Sequence, residues 1–192
     1  MTILTRNDIN NDVNMLIENL EDKNCPLVSP VAALKLSMIW PLITVAGYIV
    51  ALLIMAISYV PKQDLFGNEV GLFQDLGGQL ICTGIALLMA FGVGASMYNL
   101  ALVYLSFDST TRRQSFVVSK IKKLIIRLSV IGTLLNWSLA VLSVVFEPSL
   151  INGAPLLFIF TTIGLQMVIS AELTRYGIAG AMGKFARLVK KI

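Results

Sequence analysis

Four stretches of the chain contain no Asp, Glu, Lys or Arg: Leu36–Val60, Leu76–Phe107, Leu128–Phe146 and Pro148–Ala171, of 25, 32, 19 and 24 residues. A helix rises about 1.5 Å per residue, so roughly 20 apolar residues cross a hydrocarbon core of about 30 Å. A water-soluble fold would have to bury four such helices with almost no polar covering. Composition points the same way, because 14% charged residues is far below the roughly 25% of soluble domains. The chain reads as all-α, an integral membrane four-helix bundle with spans over about 36–60, 79–106, 127–146 and 154–174. These form a transmembrane domain over 31–175, preceded by a helix and linker (1–30) and followed by a basic amphipathic tail (176–192). The N-terminus lacks a basic start followed by an apolar block and a cleavage site, so span 1 is expected to target the chain and stay in the product.

The loops alternate in charge. Arg6, Lys23 and Lys35 precede span 1; Lys62 stands among Asp64, Glu69 and Asp75 between spans 1 and 2. Arg112, Arg113, Lys120, Lys122, Lys123 and Arg127 lie between spans 2 and 3. Glu147 marks the turn between spans 3 and 4, and Arg175, Lys184, Arg187, Lys190 and Lys191 follow span 4. With both termini cytoplasmic, all 15 basic residues except Lys62 fall inside, as the positive-inside rule requires. Short loops and the lack of an accessible glycosylation sequon assign the chain to a bacterial inner membrane; Asn136-Trp137-Ser138 is mid-span. The basic loop is thus first a topology determinant. Nucleic acid is excluded as a partner, since only Phe107 and Phe116 are near enough to stack on bases.

Before span 1, Asn7–Glu21 is predicted to be an amphipathic helix, because Ile9, Val13, Leu16, Ile17 and Leu20 recur at helical spacing. Its other face carries Asn10, Asn11, Asp12, Asn14, Glu18 and Glu21. Acid is the wrong polarity for an anionic lipid surface, so the stripe is expected to pack on protein. The loop has the opposite chemistry: Lys120, Lys123 and Arg127 share one helix face, with Val117, Ile121, Leu124, Ile125 and Leu128 on the other. This basic face suits the anionic inner leaflet. Two readings compete for the acidic helix. Either Asp12, Glu18 or Glu21 docks near Lys120, Lys122 or Lys123, or the helix is held out for a separate protein.

Polar residues are costly in hydrocarbon, so their depth carries information. Thr44, Asn99, Asn136 and Gln166 each stand nine residues from a charged boundary, at Lys35, Asp108, Arg127 and Arg175. That is a depth of roughly 13 Å. The spacing predicts one intramembrane polar layer that joins helices through hydrogen bonds, with a transport site as the alternative. Ala86, Ala90 and Gly94 form a small-residue ladder expected at a helix contact. Pro41 is expected to kink span 1. Trp40 suits the cytoplasmic interface, and mid-span Trp137 is expected to pack on a neighbouring helix.

Catalysis is not expected. The chain has no His, no carboxylate pair within a span and no glycine motif in a phosphate-binding context, so neither a metal nor a cofactor is assigned. Cys25 and Cys82 are read as unpaired thiols. The composition fits a non-catalytic protein acting through protein contacts, possible self-association included. Such a protein would be an accessory subunit of an envelope secretion- or conjugation-type machine, or an exclusion or immunity factor; the rival is a small oligomeric transporter or channel subunit. In outline (small, polytopic, with a cytoplasmic N-terminal helix) the chain is similar to plasmid-encoded exclusion proteins of conjugation, and that resemblance implies a role in blocking conjugative transfer.

Overall fold

The structure is a computed structural model and describes residues 6–21, 28–61, 63, 66 and 69–175. It is all-helical, with no strand among the described residues. α1 spans Arg6–Glu21, α2 Pro30–Ile57, α3 Leu72–Ser106, α4 Ser109–Gln114, α5 Phe116–Val145 and α6 Ala154–Arg175, the last preceded by a 3₁₀ turn at Pro148–Gly153. Four of these helices, α2, α3, α5 and α6 with its 3₁₀ lead-in, are long and apolar enough to cross a membrane. Large apolar side chains also point outward from each: Leu53, Leu88, Val141 and Phe160 are all more than half exposed. In water so much apolar surface would drive aggregation; the helices suit a multi-pass membrane protein.

Three helices begin before the expected spans: α2 at Pro30, α3 at Leu72 and α5 at Phe116. The basic segment with Lys120, Lys123 and Arg127 is continuous with α5 and so with span 3. α4, six residues between α3 and α5, is not among the expected elements. Helices lengthen past the uncharged runs because charged residues at a span's end remain good helix formers. Between α2 and α3, Tyr59 Oη donates to the Val70 carbonyl at 2.5 Å, and Gln63 pairs with Glu69 in an isolated antiparallel bridge.

The chain divides into two compact units. One comprises residues 38–93 and 130–163. All four long helices feed its buried cluster: Val45, Tyr48, Ala51 and Met55 from α2; Leu76, Ala86 and Ala90 from α3; Ala140 from α5; Ala154 and Phe158 from α6, with Ile151 of the 3₁₀ turn. Five of these residues are alanines, which let backbones approach closely where burial from water supplies no drive. Tyr48 and Phe158 fill the space between, and Trp40 stacks on Phe158 with ring centroids 6.2 Å apart. Pro41 is fully buried, yet α2 runs on through it, as membrane-spanning helices tolerate.

α2 and α5 approach closely in this unit. Trp137 Nε1 donates to the Ile43 carbonyl at 3.1 Å. The indole lies so close to the α2 backbone that a Cβ on Gly47 would be 2.5 Å from Trp137 Cδ1. Gly47 is therefore required by sterics rather than by backbone conformation. The other unit comprises residues 1–37, 94–129 and 164–192, of which 1–5, 22–27 and 176–192 lie outside the described residues. In it Leu16 and Leu20 of α1 are buried against Val103 and Phe107, with Val13, Ile17 and Val118 packed alongside. Cys25 and the basic tail, with Lys184, Arg187 and Lys191, also lie outside the described residues; Cys82 is a half-buried free thiol.

Gly47→Ala should destabilise the fold by about 1–3 kcal/mol through overpacking, read as a lower thermal midpoint in detergent. The double variant Gly47→Ala/Trp137→Leu should recover most of the loss, since it removes the atoms the methyl meets.

Candidate functional site

α5 presents Gly132, Asn136, Ala140 and Ser143 as a buried stripe at helical spacing, and Asn136 is the amide on it. The Tyr48 hydroxyl on α2 donates to Asn136 Oδ1 at 2.8 Å. Asn136 Nδ2 donates to the Gly132 carbonyl at 2.8 Å and to Thr161 Oγ1 on α6 at 3.1 Å. Thr161 in turn bonds the carbonyls of Leu157 and Phe158. One turn along, Thr44 Oγ1 donates to the Trp40 carbonyl at 2.9 Å and lies 3.1 Å from Thr133 Oγ1. Three helices are thus joined by one fully buried amide, whose two N–H donors and carbonyl are all engaged.

Ser143 and Thr162 turn their buried hydroxyls back to carbonyls of their own helices. Thr83 Oγ1 is buried on α3 with no partner among the described residues. The network holds hydroxyls and amides only, so it can bond and orient helices but has no group to transfer a proton near neutral pH.

Of the four residues expected in one polar layer, Thr44 and Asn136 come into this network and Asn99 and Gln166 do not. Asn99 on α3 and Gln166 on α6 belong to the other unit, are exposed, and make no hydrogen bond among the described residues. The reason is rotation. Counting from a boundary sets depth, but at about 100° per residue Asn99 falls half a turn away from buried Ala90, nine positions earlier. Gln166 stands one residue, hence about 100°, round from buried Leu165. The ladder Ala86, Ala90 and Gly94 is buried throughout, its two alanines in the four-helix cluster.

The second constellation joins α1 to α4. Asp12 Oδ2 accepts from Ser115 Oγ at 2.9 Å and from the Val117 backbone N–H at 2.8 Å. Ser115, fully buried, also accepts from the Val118 N–H. Asp12 therefore caps the N-terminus of α5 with a negative charge, where the helix dipole favours it. Asn19 Oδ1 accepts from the Asp108 N–H at 3.1 Å. Asp12 and Asn19 are seven residues apart on α1, and Ser115 and Asp108 are seven apart across α4, so the two pairs match over roughly 10 Å. α1 thus runs antiparallel to α4 and clamps both of its ends. Asp108 itself caps α4, and hydrogen bonds from Thr110 and Ser109 hold its carboxyl below the usual carboxylate range.

Asp12 was expected on the outer polar face of α1, near lysines; it turns inward beside Leu16, and its partners are a serine hydroxyl and a backbone amide. Ser115 directly before an apolar run, and Asp108 before Ser-Thr-Thr, are N-cap signals in the sequence that would have located α4 and the start of α5. Glu18 is exposed; the Glu21 side chain lies outside the described residues. Lys120, Lys123 and Arg127 are exposed on α5, with Lys120 Nζ 5.2 Å from the Phe116 ring. Glu172 and Arg175 pair at 3.4 Å at the end of α6. No group of three His, Cys, Asp or Glu residues suited to a metal occurs among the described residues.

Compared with known protein families, curated proteins and solved structures, the chain matches none.

Asp12→Ala should release the clamp, weakening α1 docking by about 0.5–2 kcal/mol. Amides of Arg6–Glu21 should then exchange hydrogen faster while those of α2 do not change. Asp12→Asn, which keeps an acceptor oxygen, should lie between the two; an unaltered exchange pattern in Asp12→Ala would show that the cap contributes nothing to docking.

Proposed function

We propose that the chain is a four-span bacterial inner-membrane protein, a helical bundle with both termini cytoplasmic, that acts through protein contacts rather than catalysis. The readings that fit are an accessory subunit of a secretion- or conjugation-type envelope machine and an exclusion or immunity factor. The charge asymmetry of the loops supports the orientation. The observation that carries the contact role is the different fate of three amides counted to the same depth. Asn136 is satisfied inside the fold, whereas Asn99 and Gln166 face outward with no partner among the described residues.

An amide left unbonded in hydrocarbon costs several kcal/mol. Two such groups on α3 and α6 are what a contact with a helix of another protein, or of a second copy, would use. A further surface is the exposed side of the docked α1, with Asn10, Asn11, Asn14 and Glu18. The basic face Lys120, Lys123 and Arg127 is suited to anionic lipid of the inner leaflet, at about 1 kcal/mol per charge. The same outward amides would also line a polar path if several copies closed around an axis, which is the transporter or channel alternative.

Affinity capture of the tagged protein from its native membranes should retain a defined membrane partner. Asn99→Leu/Gln166→Leu should lose that partner with its own thermal midpoint unchanged. Capture of the same partner by the double variant would contradict the contact role of these amides. Solute or ion flux in liposomes that falls in the double variant would favour the transporter alternative.

A further inference from the structure

Three consecutive elements converge on one aromatic ring in the unit that holds residues 94–129. Tyr104 stands in the last turns of α3, Arg112 is the fourth residue of α4, and Lys122 ends the second turn of α5. Arg112 Cζ is 5.2 Å from the Tyr104 ring centroid and Lys122 Nζ is 5.9 Å from it. Each distance is within cation–π range. Bringing two like charges to one ring is unfavourable unless something neutralises them, and neither has a carboxylate within ion-pair distance among the described residues. Asp108 feels Arg112 at longer range, but its carboxylate is engaged by the Thr110 N–H and hydroxyl. Arg112 Nε is closed off from solvent with no hydrogen-bond partner among the described residues.

Position indicates which class of anion would neutralise the two cations. Tyr104 lies where the long uncharged run ends and the first charges, Asp108, Arg112 and Arg113, appear. In a membrane-spanning chain that is headgroup depth, where aromatic rings and basic side chains meet lipid phosphate. The ring holds the two cations in place, and a guanidinium offers a fork of N–H donors that matches phosphate oxygens.

We propose that Arg112 and Lys122, braced on Tyr104, form a site for the phosphate of an anionic lipid headgroup. The inference deepens the inner-leaflet lipid contact proposed above and rests on it, but it names a defined site rather than a diffuse field. It also gives the α1 clamp a consequence. α4 carries Arg112, and α4 is held at both ends by Asn19 and Asp12, so the N-terminal helix keeps one of the two cations in position. Exposed Lys123 and Arg127 stand over no ring among the described residues and attract anionic lipid through screened charge; Lys120 stands alone over the separate ring of Phe116.

The test is native mass spectrometry of the full-length protein released from detergent micelles that contain phosphatidylglycerol or phosphatidylcholine. Wild type should retain phosphatidylglycerol in preference to phosphatidylcholine, and millimolar inorganic phosphate should not displace it. Arg112→Gln/Lys122→Gln should lower retention at least about tenfold, while Lys123→Gln/Arg127→Gln changes it little. Equal loss in the two double variants, or none in the first, would overturn the site. Displacement by inorganic phosphate would replace a lipid site with a free-anion site. If Arg112→Gln/Lys122→Gln does not fold, wild type still decides: equal retention of the two lipids contradicts the proposal. Lipid retention by a chain that captures no protein partner would fail the contact reading and leave this one standing.

Discussion

A polar group inside an apolar helix assembly must find its hydrogen bond within the assembly, and Asn136 is where that constraint acts hardest. Its carbonyl accepts a hydrogen bond from the Tyr48 hydroxyl on α2, and its amino group donates to Thr161 on α6. These bonds hold α5 at one rotation about its axis. At that rotation the next residue, Trp137, meets α2 where Gly47 has no side chain, and Ala140 falls into the cluster with Tyr48 and Phe158. Each interhelical bond contributes only about 0.6–2 kcal/mol. Their value lies in selection: apolar helices slide and rotate cheaply against one another, and a buried amide makes most of those rotations costly.

At the charged end of α3 the same rule acts through caps. A helix leaves its first N–H groups unbonded, and α5 begins between buried Ser115 and buried Val117. Ser115 satisfies one of these groups, and Asp12, from a helix about a hundred residues earlier in the chain, satisfies another. Leu16 and Leu20 supply the apolar adhesion that brings Asp12 there. The acid is thus a reach-over cap, and the N-terminal helix is bound by its own stripe and held in register by Asp12 and Asn19.

Much of this was legible in the sequence, and the remainder was hidden for identifiable reasons. Long helices were legible because charge-free runs of 19 residues or more leave hydrocarbon as the natural surroundings. The stripe on α1 was legible because its period is helical, and Asn136 because an amide in such a run must be bonded. Helix rotation was not legible. Thr44 and Asn136 were counted to the same depth as Asn99 and Gln166, but only the first two face the interior, and phase cannot be read without knowing which neighbours each helix meets. Gly47 was passed over in favour of the Ala86–Ala90–Gly94 ladder, since a lone glycine signals a close approach only once its opposing indole is known. Asp12 was placed on the outer face because charge predicts solvent, whereas a helix N-terminus brought alongside by tertiary packing outweighs that default.

The central claim is that the Asn136 amide acts as structural glue between helices. The most direct measurement is a double-mutant cycle between Tyr48→Phe and Asn136→Leu, read from unfolding free energies in bicelles. The account predicts a coupling of about 0.6–2 kcal/mol, with each single variant destabilised. A coupling indistinguishable from zero, with both singles as stable as wild type, would contradict it.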